Sequence, residues 1–357
     1  MAGMWQSLLK PSFIPRLVRV GERSFWMHLS KRAFLLSAAF LATGCGPVPS
    51  AGPAGLAAAL ARHAASGQED LLVGRFTAQG NPQGSMVNLG PLGLVAQAQI
   101  MTSDGPDLWV TTGYEVVRIR NLSHPRVVLH APSGTTVLSL AYLWGHLWLA
   151  AEGIHSHRVR IYEDAGRLRL RAETPLAITT LVPGPPGSVA VLSASPHHAT
   201  VTLLSGQNRR TWVVDGVPQG TLAFGKGWGY LPVTHGLRGF GMAQMPARGS
   251  QTVRQSTYSS VWHAVIAVVP SSPPYGITVK GLIPLQRGQW NWQGLQSWPR
   301  PLQATITSDG TGNGWVLIVD GPSQGYWFNA ARDRFGESFT VQAPPGAFPR
   351  EVVPWPS

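Results

Sequence analysis

The chain has 357 residues, 28 Lys or Arg against 16 Asp or Glu, a formal net charge of +12 and one cysteine. A single cysteine excludes an intramolecular disulfide, so outside the cytoplasm stability must come from packing and backbone hydrogen bonds. Only 12% of residues are charged, while 41 are Gly and 30 are Pro; this fits a β-rich chain with many turns better than long solvated helices.

Taken from its N-terminus, the chain first meets Lys31 and Arg32, then the apolar run 33–42, then small residues leading to Cys45. Charge, short apolar run and small residues in that order form the layout of an export signal. The run is about half the roughly 20 apolar residues that a transmembrane helix needs. Leu41-Ala42-Thr43-Gly44-Cys45 resembles the lipobox of bacterial lipoproteins, departing from it at Ala42, where Leu, Val or Ile is usual. The resemblance implies that Cys45 is lipidated, becomes the mature N-terminus, and anchors the chain at the extracytoplasmic face of the cell membrane. Residues 30–36 are also similar to a twin-arginine export motif with Lys31 in place of the first arginine, and Sec export fits as well. Translation from Met27 would remove the basic stretch 1–26. The segment 1–44 holds six basic residues and one acidic one, so of the +12 about +7 stays with the mature part.

After Cys45, Gly46-Pro47-Val48-Pro49-Ser50-Ala51-Gly52-Pro53 cannot hold regular structure. Residues 55–66 are alanine-rich, the composition of a short helix or a flexible segment. We therefore expect a signal peptide over 1–44, a flexible tether over 45–68 and one folded domain over 69–357. From residue 71 the pattern becomes short β runs punctuated by Gly, Pro, Asp and Asn. They fall into groups of four: 96–101, 108–112, 116–120 and 127–130; then 137–143, 147–151, 158–162 and 168–172; then 177–182, 189–193, 200–204 and 211–214. A last clear group is 304–307, 315–319, 326–329 and 339–342. First strands begin near residues 96, 137, 177, 221, 261 and 304, a period of about 40–45 residues with four strands each, which is that of a β-propeller blade.

Shared wording supports the repeat. Ser103-Asp104-Gly105-Pro106-Asp107-Leu108-Trp109-Val110 and Gly145-His146-Leu147-Trp148-Leu149 occupy equivalent places, and Gly314-Trp315-Val316-Leu317 after Ser308-Asp309-Gly310 repeats the theme. Asp-Gly makes a hairpin turn and Trp fills the wedge between blades. These segments resemble bacterial propellers of the regulator-propeller and streptogramin-lyase-like kind, which implies an all-β propeller of four-stranded antiparallel blades. Six groups are visible. The runs 71–76 and 86–89 either complete a seventh blade with 351–355 or close a six-bladed ring by lying on the last blade.

The candidate anion site is a run of arginines at alternate positions: Arg158 and Arg160, then Arg167, Arg169 and Arg171, with Arg118 and Arg120 repeating the arrangement one group earlier. Alternation places each set on one strand face. An even-length turn would set Arg160 opposite Arg169 and Arg158 opposite Arg171. Such a stripe would meet anionic headgroups or envelope polymers; an ordinary solvated outer strand has the same sequence. Only four of the 28 basic residues are lysines, and guanidinium binds phosphate and carboxylate bidentately, although a GC-rich genome yields the same excess. Trp290 and Trp292, two apart with Trp298 beyond, would form either a sugar-stacking platform or inter-blade core.

His155, His157, His197 and His198 lack a nearby carboxylate or cysteine at ligand spacing, so no metal and no cofactor are expected. Gly225-Lys226-Gly227-Trp228-Gly229 is glycine-rich, but no helix follows it, so it is not a phosphate cradle. No paired carboxylates or Ser-His-Asp set stands out, and no catalytic residue is assigned. The reading is a membrane-tethered lipoprotein whose propeller binds or scaffolds, for anionic envelope polymers or another envelope protein, and not for nucleic acid. The alternative is a propeller lyase or hydrolase with its site at the central channel; His with Glu or Asp converging on the channel mouth would favour it.

Overall fold

The computed structural model describes residue 53 and residues 55–355, without 65–66, 94–98, 105, 122, 156–157, 176–177, 226, 236–238, 250–251, 259–263, 270–273, 287–288, 298–304, 309–314, 320–322, 330–331 and 333. Lys31, Arg32, the lipobox-like segment with Cys45, Gly105, His157, Lys226, Trp298 and the 309–310 turn lie outside the described residues.

Thirty strands among the described residues build seven antiparallel sheets. The first blade runs β4 (Met101–Asp104), β5 (Asp107–Thr111), β6 (Glu115–Arg120) and β7 (Pro125–His130). The second is β8 (Thr135–Leu143), β9 (His146–Gly153), β10 (Val159–Asp164) and β11 (Leu168–Thr174). The third is β12 (Ile178–Pro183), β13 (Val189–Ala194), β14 (His198–Ser205) and β15 (Asn208–Asp215). The fourth holds β16 (Val217–Pro218) and β17 (Ala223–Gly225) beside β18 (Trp228–Thr234), then β19 (Phe240–Pro246) and β20 (Arg254–Tyr258). The fifth holds β21 (Val265–Val269), β22 (Tyr275–Thr278) and β23 (Gly281–Gln286), with short β24 (Gln289–Trp290) and β25 (Gln296–Ser297) on its outer side. The sixth is β26 (Thr305–Ser308), β27 (Trp315–Val319), β28 (Gln324–Asn329) and β29 (Arg334–Thr340).

The seventh blade joins both ends of the folded region. Its order is β30 (Ala347–Trp355) innermost, then β1 (Gly55–His63), β2 (Glu69–Phe76) and β3 (Pro82–Pro91). The seven-bladed alternative therefore holds, and closure covers β1 on both edges, with β30 on one and β2 on the other. Around the channel, β30 neighbours β4, then β8, β12 and β17 follow, and the fourth blade's β18 meets β21, which leads through β26 back to β30.

Residues 55–63 are neither helix nor tether. Residues 55–61 are fully buried in β1, with β30 on one side and β2 on the other. Leu56, Ala58 and Leu60 pack against Trp315, Leu317 and Trp327 of the sixth blade, while Ala57 and Ala59 pack against Leu108, Val110 and Ile119 of the first. Alternation at period two is satisfied on both faces. Alanine suits it because a strand squeezed between two blades has little room. Helix propensity, at most a few tenths of a kcal/mol per residue between ordinary residues, loses to burial of each leucine at about 1.5–3 kcal/mol.

The first strand of the leading group also moves. Among the described residues it is Met101–Asp104; of the expected run 96–101, residues 96–98 lie outside the described residues. The last strand of the sixth blade begins at Arg334, several residues before the 339–342 run. Trp109, Trp148 and Trp315 do occupy equivalent second strands, β5, β9 and β27, and each packs into a cluster shared with a neighbouring blade. At the seam between the fourth and fifth blades only glycine fits position 220: a Cβ there would stand 1.9 Å from the Ile266 carbonyl oxygen.

Candidate functional site

The arginine hairpin is organised differently from the even-turn expectation. Asp164 pairs with Leu168, leaving a three-residue loop in which Gly166 takes φ +83°, and a bulge falls between Ile161 and Tyr162. Arg160 consequently lies opposite Glu173 and Glu163 opposite Arg169. The bulge leaves Arg171 without a direct partner in the ladder and re-aims it. Val159 and Ile161 pack toward the third blade, and Tyr162 toward the first-blade side. By alternation Arg160 faces the first blade, whereas Arg169, across from Glu163, faces the third. The five arginines therefore do not share one face.

Most of the stripe is already neutralised. Arg158 and Arg160 reach Glu173 at 3.1 and 3.7 Å, and Arg171 donates to Glu163 at 2.6 Å. Arg118 donates to buried Asp107, with Arg120 3.6 Å from the same carboxylate. That hydrogen bond holds the Arg118 guanidinium above its ordinary pKa. Arg118 also lies over the Trp109 ring, which stacks on Tyr142 at 5.8 Å. Replacing Asp107 by Asn should cost about 1–3 kcal/mol in urea unfolding, since the carboxylate ties two guanidiniums to a buried hairpin end. A variant as stable as the parent would show that the pair contributes nothing.

Arg169 has no carboxylate partner among the described residues. It lines a groove of about 350 Å³ with Leu170 and Arg171 of β11 and with Leu204, Gly206, Gln207, Asn208 and Arg209 of the β14–β15 hairpin. The groove thus lies at the outer seam between the second and third blades. Arg171 spans it, donating to the Gly206 carbonyl. Arg209 was absent from the sequence-derived set; its only signal was Arg209-Arg210 immediately after a Gly-Gln-Asn turn.

Trp290 and Trp292 do not form a flat platform. Trp290 closes β24 and Trp292 opens a 3₁₀ turn, Trp292–Gly294, that Asn291 caps. Both are half-buried against Tyr230, Met242 and Leu285 between blades, and Trp290 meets Tyr230 edge-on at 6.1 Å. His198 Nδ1 lies 2.9 Å from Ser195 Oγ within an exposed turn whose backbone N–H groups also bond that hydroxyl. His155 sits in the β9–β10 turn. Among the described residues, no three His, Cys, Asp or Glu side chains gather as a metal site would require.

Two polar side chains, Gln99 just before β4 and Glu351 on β30, tie neighbouring blades together. The Gln99 side-chain oxygen accepts from Ser139 Oγ at 3.0 Å and from Leu181 N at 3.1 Å, bridging the first three blades. Glu351 of β30 accepts from Met101 N at 2.9 Å, tying the closing strand to the first blade. Burial pushes the Glu351 carboxyl up to about 8, against the backbone N–H bonds of Ile100 and Met101 that pull it down. In the unfolded chain it titrates near the ordinary carboxylate value. Its contribution is thus complete below that value and is lost as pH rises through about 8. Part of the side chain stays exposed, so we expect roughly 2–3 kcal/mol less stability at high pH than at pH 4.5, and a flat profile for Glu351→Gln. Equal slopes for both proteins would contradict this.

No family model matches the chain, and no curated protein matches it in sequence. Among solved structures it is similar to apo AztD from Citrobacter koseri (11% identity, 82% of this chain and 83% of that one, TM-score 0.47). It is also similar to virginiamycin B lyase from Staphylococcus aureus (12% identity, 68% and 83% covered, TM-score 0.47). A third is BBS1N in complex with ARL6DN (12% identity, 75% and 88% covered, TM-score 0.46). These likenesses carry nothing further: the chain's own seven sheets make it an all-β, seven-bladed propeller, and its chemistry has to be read from its own residues.

Proposed function

We propose that the protein is a lipoprotein held by Cys45 at the extracytoplasmic face of the cell membrane, and that its propeller is a binding or scaffolding module. The order of charge, apolar run, small residues and Cys45 supports the anchor. The module reading is carried by two side chains beside the first and seventh blades' inner strands: Gln99, just before β4, and Glu351, on β30, are bonded to the backbones of neighbouring blades. They act as ties that hold blades together, whereas a general acid or base must stay free to exchange a proton with a substrate. Recognition then belongs to loops and outer strands, the surface a propeller offers to large partners. Nine residues separate Cys45 from β1, and a segment of that length spans at most about 30 Å. Cys45→Ser should move the protein out of the membrane pellet after cell fractionation; an unchanged distribution would defeat the anchor reading.

A further inference from the structure

From the groove at the seam of the second and third blades, we infer that Arg169 and Arg209 form a site for the phosphodiester headgroup of an anionic lipid. This rests on the module reading above and narrows it to one site and one ligand class.

Three observations carry the inference. First, the groove brings together two unpaired arginines; Arg126, Arg167 and Arg210 of the first three blades also lack an ion pair among the described residues but do not line it. Arg118, Arg120, Arg158, Arg160 and Arg171 each lie within 4 Å of a carboxylate. Arg169 and Arg209 have no ion-pair partner among the described residues, and they line the same groove from opposite blades. Glu163 stands across from Arg169 in the ladder, yet its carboxylate goes to Arg171. The groove therefore keeps two uncompensated guanidiniums, with Asn208 and Gln207 as the neutral polar lining.

Second, the walls are fixed from both sides. Arg171 is locked by Glu163 and by the Gly206 carbonyl, which fastens the second blade to the turn of the third. Leu204 belongs to the cluster that joins those blades. A guanidinium presents a planar fork that fits two oxygens of one phosphate, so a pair facing one groove suits a phosphodiester better than a lone carboxylate.

Third, apolar exposure is concentrated in the same arc. Tyr114, Val127, Val128, Trp144, Ile154, Leu170 and Val213 are the large hydrophobic residues exposed among the described ones, and all lie in the first three blades. Leu170 sits between Arg169 and Arg171 at 55% exposure, and Val213 lies further along the strand of Arg209 at 66%. Cations interleaved with exposed aliphatics match a bilayer interface, where headgroup phosphates lie beside acyl carbon. A soluble polyanion would make no use of the aliphatic part.

The test uses the full chain carrying Cys45→Ser, so that no thioether-linked lipid contributes. Affinities are measured for phosphatidylcholine vesicles with and without phosphatidylglycerol. At about 1 kcal/mol per cation near an anionic surface, Arg169→Gln with Arg209→Gln should weaken binding to the anionic vesicles about 30-fold. Binding to neutral vesicles and the melting temperature should stay unchanged. Arg158→Gln with Arg160→Gln removes two charges already held by Glu173 and should cost less than about threefold. Equal losses for the two pairs, or no loss for the first, would overturn the groove site. Loss of binding to inorganic phosphate or to a soluble phosphodiester polymer, without any preference for anionic vesicles in the parent, would overturn the lipid as its source. Neither outcome bears on Cys45, which fractionation judges separately.

Discussion

A chain ending at Gly346 is expected to lose cooperative unfolding altogether. The missing segment carries β30, the innermost strand of the closing blade, whose ladder with β1 runs from Gly55 opposite Trp355 to Arg62 opposite Ala347. Its removal exposes the β1 edge and takes Val352, Val353 and Trp355 out of clusters shared with the sixth and first blades. It also deletes Glu351, which ties the seventh blade to Met101. A ring closed by hydrogen bonding between its two ends has no substitute for that strand, and an open sheet edge invites pairing with other chains. Thermal unfolding followed by circular dichroism should show a broad, early transition accompanied by aggregation. A sharp transition within a few degrees of the full chain would mean that closure does not hold the ring.

The second large effect is expected at Trp327. Its side chain is fully buried, meets the Trp315 ring edge-on at 6.5 Å, and donates its indole N–H to the Ala78 carbonyl at 3.0 Å. It thereby links the sixth blade to the β2–β3 turn of the seventh. Trp327→Ala should cost about 3–5 kcal/mol in denaturant unfolding, from lost burial plus the cavity left behind. Trp327→Phe keeps most of the ring and gives up the bond, so about 1–2 kcal/mol is expected. The ordering distinguishes packing from hydrogen bonding. A loss under about 1 kcal/mol for the alanine variant would show that the seam relaxes around the gap.

The repeat was legible in the sequence because blades reuse one device: a tight turn followed by a strand with tryptophan at a fixed place. Trp109, Trp148 and Trp315 mark equivalent second strands, and the Trp144-Gly145 turn has both residues at positive φ, as a two-residue hairpin requires. The first strand was not legible. Residues 55–63 hold four alanines among nine residues, and they are buried as a strand only because blades press on both faces; no local signal carries that. The fourth and fifth blades were blurred for a different reason: their inner and outer edges are split into two- and three-residue strands, too short for a period to show.

The candidate site was half legible. Alternating arginines were visible, but their pairing depended on an odd-length turn and one bulge, which shift the register and turn one stripe into two faces. Glu173 and Glu163 then neutralise the arginines that drew attention first. Arg209, the second unpaired arginine of the groove, carried no periodic signal, because the groove arises where two hairpins from different blades meet.

Whether the seven-bladed propeller is held at a membrane through Cys45 can be decided by the intact mass of the protein extracted from membranes. A chain beginning at Cys45 with a diacylglyceryl group on its thiol is expected. A chain of full length, recovered from the soluble fraction with residues 1–44 still attached, would contradict it.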